Sequence, residues 1–312
     1  MAATDAVVVR VPASTANLGS GYDAFGLALA LHNTVRAELA APRTWAVAVE
    51  GEGAETASHG ARNLVARSMA RLFEVAGVDA GATLSCTNAI PFGRGLGSSS
   101  AAIVGGLVAA NELAGRPLDN DGLFRLAAEI EGHPDNVAAA LFGGFTICWA
   151  EGDGPLVAHV DPPGGLAAVV VVSDEPLSTR TARELLPRDV PHTDAAFDAG
   201  RAGLLATGIA LGRRDLIGPG MNDRLHEQYR AVAVTDLDAV RQVLLEAGAD
   251  GAALSGAGPS VIGLVAGEND VEAAARAAEI AARAEAGIAA MPGRRAPRVV
   301  AIDRAGATVQ GD

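Results

Sequence analysis

Lysine is missing altogether: all 24 basic residues of the 312-residue chain are arginines. A Walker-type phosphate loop, Schiff-base chemistry and any mechanism built on a catalytic lysine are thereby excluded. Basic residues are also outnumbered by 37 acids, which leaves a net charge of −13. Such a balance argues against general nucleic-acid binding and against an anionic membrane surface, but not against a small anion in a local arginine pocket. Cysteine is nearly absent. Cys86 and Cys148 sit in β-rich stretches outside any CxxC or Cys/His spacing, and read as two buried thiols in a reducing compartment. Long apolar runs are lacking too. Stretches such as Leu166 to Val172 fall far below the roughly 20 residues of a membrane span, and the opening MAATDAVVVR has no basic leader followed by an apolar run. The expectation is a soluble cytoplasmic protein with no nucleic-acid or membrane partner.

What is present points to a globular chain, with 49% hydrophobic and 20% charged residues and length for about two domains. Strands are predicted over Ala6 to Val11, closed by Pro12, and over Gly26 to Leu39, Trp45 to Glu50 and Thr83 to Ile90. Helical spacing covers Asn63 to Val75, and Ser98 to Leu113 reads as a small-residue helix buried on much of its circumference. Leu123 to Ile130 is helical up to Gly132-His133-Pro134, because proline disfavours helical geometry just before it. A short helix over Val137 to Leu141 and a strand over Phe145 to Trp149 follow. Prolines and glycines between Glu151 and Gly165 mark the expected linker, dividing the chain into 1–155 and 156–312. Beyond it, Leu166 to Val172 reads as a fully buried strand, with helices from about Thr181 to Leu211. Leu237 to Ala247 and Val271 to Ala286 are amphipathic, and Gly251 to Leu254, Ser260 to Val265 and Arg298 to Ile302 read as strands. Helices and strands mix without a strict βαβ rhythm, so the fold class is α+β in two domains.

Four segments carry chemistry. The strongest is Pro91-Phe92-Gly93-Arg94-Gly95-Leu96-Gly97-Ser98-Ser99-Ser100-Ala101. A strand enters it, alternating glycines remove side chains, and a helix leaves with its N-terminal N–H groups aimed at the loop, which suits a phosphate. Its three serines offer hydroxyls to phosphate oxygens or to magnesium. Gly95→Val is expected to crowd the phosphates and leave the fold largely intact. The second segment, Glu129-Ile130-Glu131-Gly132-His133-Pro134-Asp135-Asn136, packs polar groups at a helix break. A carboxylate there can bind magnesium and His133 can shuttle a proton or recognise a polar substrate; a solvated turn with an Asp or Asn cap is the plainer alternative. Leu254-Ser255-Gly256-Ala257-Gly258-Pro259-Ser260 is a glycine-rich turn that an ordinary hairpin would also explain. The fourth, Val11 to Asp23, reads as an irregular polar loop leaving an edge strand, where Asn17 and Asp23 can meet an ammonium and hydroxyls.

Taken together, PASTANLGSGYDAFGLAL, PFGRGLGSSSA, EGHPDN and LSGAGPS resemble, in this order, the kinases of galactose, homoserine, mevalonate and phosphomevalonate, the GHMP kinases. The Asn17/Asp23 loop and EGHPDN look most like the homoserine kinases. The resemblance implies a left-handed βαβ phosphate-binding domain joined to a ferredoxin-like domain, with ATP and substrate between them. It places ATP from Asn63, at the adenine, to the loop Pro91 to Ala101, and magnesium at Ser99 and Glu131. It implies L-homoserine as substrate, on the way to threonine. The substrate carboxylate would meet Arg183 and Arg230, its ammonium Asn17, Asp23 and His133, and its hydroxyl Asp135, Asn136 and Thr179, with Gly256 in the same site. Asp135 is the one plausible proton acceptor. A homodimer is implied as well. The rival readings are another GHMP kinase acting on a sugar, shikimate or isoprenoid alcohol, and a nucleotide-binding module without turnover.

Overall fold

The computed structural model describes residues 6–152 and 154–310. The opening five residues, Asp153 in the expected linker and the last two residues of the expected second domain lie outside the described residues. The chain begins with a long antiparallel hairpin, β1 (Ala6–Asn17) and β2 (Gly21–Ala40), whose register shifts at Pro12/Ala13 and again at Ala16/Asn17. These shifts let the strand run through Pro12, because a proline that cannot donate is tolerated at a bulge. The segment from Val11 is therefore not an irregular loop. Val11 to Asn17 continues β1, and Gly21 to Asp23 begins β2. The sequence conceals this, because every residue from Val11 to Asn17 is buried and the polar/apolar alternation is lost. Nor is β1 an edge, since the chain's final strand pairs along its other side.

After β3 (Trp45–Gly51), α1 (Leu64–Ala76) crosses to β4 (Gly81–Asn88), which pairs parallel to β3; the other named pairings among the described residues are antiparallel. The helices α2 (Ser98–Leu113), α3 (Asn120–Glu131) and α4 (Asp135–Phe142) then pack with α1 over the sheet. Ile103, Val104, Leu107, Val108 and Ala110 of α2 are all buried, as a helix apolar all round requires. β5 (Phe145–Glu151) joins β2, and β6 (Gly154–Val160) joins β5 antiparallel.

The expected linker from Glu151 to Gly165 is thus mostly a hairpin arm. Its glycines and prolines mimic a linker, yet Pro155 is acceptable because β6 pairs on one side only. A cut between residues 155 and 156 falls inside β6. Residues 161–164 then carry the chain from β6 to β7 (Gly165–Val171) of the second sheet.

The second unit adds α5 (Thr179–Glu184), α6 (His192–Leu211), α7 (Arg214–Gly220), α8 (Glu227–Arg230), α9 (Leu237–Ala247), β8 (Gly251–Leu254), β9 (Val261–Gly267), α10 (Asp270–Ala289) and β10 (Arg298–Ala301). Its sheet runs β10-β7-β9-β8, the antiparallel order of a ferredoxin-like split βαβ. β11 (Thr308–Gln310) then returns to the first sheet beside β1. The buried strand expected at Leu166 to Val172 has a simple cause. Leu166, Ala168 and Val170 pack into the core shared with the first unit, while Ala167, Val169 and Val171 face a second core under α10. Both faces of β7 are covered, so both are apolar.

Candidate active site

The two units meet around one cavity of about 460 Å³, and the glycine-rich loop forms its wall. Gly97, with φ +67°, caps α2 with no side chain, and a Cβ there would stand 2.1 Å from Ser14 Oγ. The first intrahelical bond runs from Ala101 N–H to Gly97 O. The N–H groups of Ser98, Ser99 and Ser100 therefore precede the helix ladder and remain for an anion, reinforced by the helix dipole. Ser14 holds the loop from the other side, its N–H donating to Leu96 O over 3.2 Å and its Oγ donating to Asn136 Oδ1 over 3.0 Å.

Gly95 corrects the expectation drawn from the sequence. Its missing side chain makes room for the turn after β8, since a Cβ there would stand 2.1 Å from Ser255 O. Ser255 Oγ already donates to Gly95 O over 2.7 Å and is 2.9 Å from Thr15 Oγ1. With φ +74°, any side chain at this position is also strained. Gly95→Val therefore forces the loop off the second unit, at a cost of roughly 1–3 kcal/mol. The expected result is a Tm lowered by several degrees together with lost nucleotide binding. Calorimetry and thermal melting check both, and an unchanged Tm would contradict the packing argument.

At the far side of α2, Glu131 Oε1 accepts Ser99 Oγ (2.6 Å) and Ser100 Oγ (2.8 Å). Glu131 ends α3, where Gly132 adopts the left-handed conformation and releases the chain. His133 follows. Its Nδ1 donates to Asp135 Oδ1 over 2.7 Å, and its Nε2 lies 3.8 Å from Glu131 Oε1. Burial lowers the His133 pKa, but its bond to Asp135 and the two carboxylate charges outweigh this and leave it raised. Asp135 is buried at the start of α4. Its Oδ1 also accepts Asn136 N–H over 2.7 Å, while no hydrogen bond among the described residues falls on Oδ2. Asn63 caps α1 through Oδ1, and its Nδ2 donates to Ser58 O. One amide hydrogen and one lone pair are left for a ligand.

The cavity's other end is built by residues far apart in the chain. Asp23 and Arg183 form a two-pronged pair, Nη1 to Oδ2 at 2.9 Å and Nη2 to Oδ1 at 2.7 Å. Asn17 orients Asp23 by accepting its N–H over 2.9 Å and donating to Gly256 O over 2.7 Å. Arg230 is 1% exposed and donates to His226 Nδ1 and Gly256 O, with its guanidinium 5.5 Å from the Tyr22 ring centroid. No carboxylate among the described residues forms an ion pair with it. Burial, joined by the Arg183 charge, lowers its pKa.

All the expected site residues line this cavity except Pro91, which is buried at the loop's entry. Thr179 lines it from the exposed first turn of α5. Ser14, Ser255, Tyr22 and His226 join the site through contacts with the expected residues, and no local pattern in the sequence singles them out. Arg94 lines the cavity too, but its guanidinium is bound to the carbonyls of Phe92, Ser173 and Asp174 and so straps the loop to the second unit.

Behind Arg230 lies a buried acid pair. Asp223 accepts the N–H groups of Leu225, His226 and Glu227, and so shapes the turn that leads to Arg230. Burial, and then a hydrogen bond to Asp223, pushes the Asp198 pKa up to about 7. The unfolded value is near ~3.9, so the folded state prefers protonated Asp198. That preference is fully present below the unfolded value and is lost as pH rises through about 7. Asp198→Asn keeps a donor toward Asp223 without the charge. Its Tm relative to wild type should rise by a few degrees between pH 5 and pH 8, and a pH-independent difference would contradict the shared proton.

Residues 63–144 match the GHMP kinases N terminal domain and residues 205–284 the GHMP kinases C terminal domain. The homoserine kinase of Streptomyces avermitilis is 47% identical over 265 residues, covering 83% of this chain and 85% of that protein. That of Leifsonia xyli subsp. xyli is 41% identical, covering 97% and 91%. The crystal structure of homoserine kinase from Cytophaga hutchinsonii superposes with a TM-score of 0.86 at 29% identity, covering 99% of both chains. An L. major mevalonate kinase in complex with R-mevalonate shares the fold, with a TM-score of 0.67 at 16% identity over 96% of this chain and 95% of that one. On these matches the chain belongs to the GHMP kinases, within their homoserine kinase branch.

Proposed function

We propose that the protein transfers the γ-phosphoryl group of ATP to the side-chain hydroxyl of L-homoserine, giving O-phospho-L-homoserine on the way to threonine. One observation carries the choice of an amino acid: a buried guanidinium, Arg230, without an ion-pair partner among the described residues, beside the Asp23–Arg183 pair. A zwitterion supplies the missing carboxylate to the arginines and an ammonium to Asp23. A sugar supplies neither.

The N–H groups of Ser98, Ser99 and Ser100 at the start of α2 would hold the triphosphate, so that backbone donors would stand in for the absent lysine. Ser99 and Glu131 suit magnesium, a hard cation that takes one or two carboxylates with phosphates and waters. A magnesium ion held by Ser99 and Glu131 would supply positive charge to the transferred phosphoryl group. Asp135 Oδ2 takes the hydroxyl proton, with Oδ1 anchored by His133 and Asn136. Asn136 is fixed in turn by Ser14. Positioning does most of the work, as a loose phosphoryl-transfer transition state permits. A cytoplasmic setting and a homodimer complete the proposal; no helix among the described residues is long and apolar enough to cross a membrane.

The test is ADP release with magnesium and ATP in the presence of homoserine, serine, threonine, mevalonate or galactose. Turnover with homoserine far above the others is expected. Preference for galactose or mevalonate would move the protein to another branch, and no turnover on any would overturn the kinase reading.

A further inference from the structure

We propose that His226 is a positioning residue that holds Arg230 through a neutral lone pair, so that the guanidinium keeps its charge for the substrate carboxylate. The proposal rests on the amino-acid reading above.

The ring is fully buried, and its two nitrogens have different partners. Nε2 lies 2.9 Å from Gly19 O and Nδ1 lies 2.9 Å from Arg230 Nη1. A carbonyl only accepts and a guanidinium only donates. Nε2 must therefore carry the hydrogen, and Nδ1 must offer a lone pair. This assignment follows from the partners alone and fixes the neutral tautomer.

The surroundings agree. Burial first, and the Arg230 charge with it, draw the His226 pKa down to about 4 against the opposing charges of Asp223 and Asp23. The groups facing the ring are Asp223, with Oδ1 3.7 Å from Nε2, Tyr22, with ring centroids 5.3 Å apart, Asp23 and Arg230.

An arginine braced by an acid would be neutralised before any substrate arrived. Arg183, held by Asp23, is in that position. Arg230 is bonded instead to an imidazole lone pair, the carbonyl of Gly256 and, at 3.5 Å, the carbonyl of Ala182. Each acceptor is uncharged. The side chain is thus held in place with no carboxylate bonded to it among the described residues, and the negative charges of Asp23 and Asp223 act on it only from further away, which leaves its donors free to draw an anion into a desolvated pocket. None of the four segments that carry the site's chemistry in the sequence contains His226.

Two isosteric variants separate positioning from structure. His226→Asn keeps an uncharged oxygen where Nδ1 stood, whereas His226→Asp puts a carboxylate there. Homoserine KM should rise at least about tenfold more in His226→Asp than in His226→Asn, the step that about 1.4 kcal/mol produces. The KM for ATP should be alike in both. Equal homoserine KM values would overturn the proposal, since loss of a merely structural histidine does not distinguish Asp from Asn.

Should the buried carboxylate prevent folding, ¹⁵N spectra of histidine-labelled wild type decide the matter, with His226→Asn used for assignment. An unprotonated Nδ1 and a protonated Nε2 from pH 6 to pH 8 support the proposal. A doubly protonated ring or the opposite tautomer overturns it. The underlying reading is judged separately, on wild-type turnover of homoserine against its amino alcohol.

Discussion

Glu131→Gln should lose at least about two orders of magnitude in magnesium-supported turnover, or some 3 kcal/mol at the transition state. Its Tm and its homoserine affinity should stay near wild type. The contrast follows from the atoms involved. Glu131 Oε1 accepts the hydroxyls of Ser99 and Ser100, and an amide carbonyl accepts them as well. The start of α2 therefore keeps its brace, and the N–H groups that face the phosphates stay where they are. Only the negative charge is removed, and a neutral amide is a poor ligand for a hard dication. ADP release titrated with magnesium, together with calorimetry on homoserine, measures both sides of the contrast. If the rate and the magnesium requirement survive, Glu131 is a helix-end brace and the ion sits elsewhere.

Sequence and structure agree most closely where a signal is local. The helix over Ser98–Leu113 begins and ends as expected because Gly97 stops the strand-side turn in a left-handed cap. α9 likewise ends at Gly248, whose φ is +110°. The glycine loop and the Glu131–Asn136 cluster are legible because each is a contiguous run of unusual composition, although their partners Ser14 and Ser255 lie far away in the chain. The strand from Val11 to Asn17 and the arm β6 were hidden. Full burial erased the alternation in one, and linker-like glycine and proline masked the other. Helices α7 and α8, of 7 and 4 residues, are too short to show a period.

Long-range pairing is the harder part. Asp23 and Arg183 are 160 residues apart, and His226 reaches Gly19 across 207. Each is an ordinary residue in its own neighbourhood. Both arginines could be placed in the site by resemblance, but nothing local shows that one is bound to an acid and the other is not.

That difference decides how the two arginines should respond to substitution. Arg230 is fully buried and its hydrogen-bond partners among the described residues are uncharged, so a carboxylate bound to it is desolvated and charge-assisted. Such pairs contribute about 1.5–3 kcal/mol. Arg230→Leu should therefore raise homoserine KM by about one to two orders of magnitude, with the KM for ATP little changed. Arg183 has a side chain 35% exposed and already shared with Asp23. Solvent screens it, and part of its charge is spent before the substrate arrives. Arg183→Leu should still raise homoserine KM, but toward about tenfold, and it frees Asp23 for the ammonium. Lysine should rescue only partly at either position, because a point charge cannot reproduce a planar fork. The sharper comparison uses the homoserine analogue in which an alcohol replaces the carboxylate. Wild type should discriminate strongly against it, since binding leaves the Arg230 charge buried and unmet. Arg230→Leu should discriminate least, because the charge that misses its partner is already gone, and Arg183→Leu should fall between the two. Equal discrimination by wild type and Arg230→Leu would remove Arg230 from the carboxylate site and leave its buried, unpaired charge without a function.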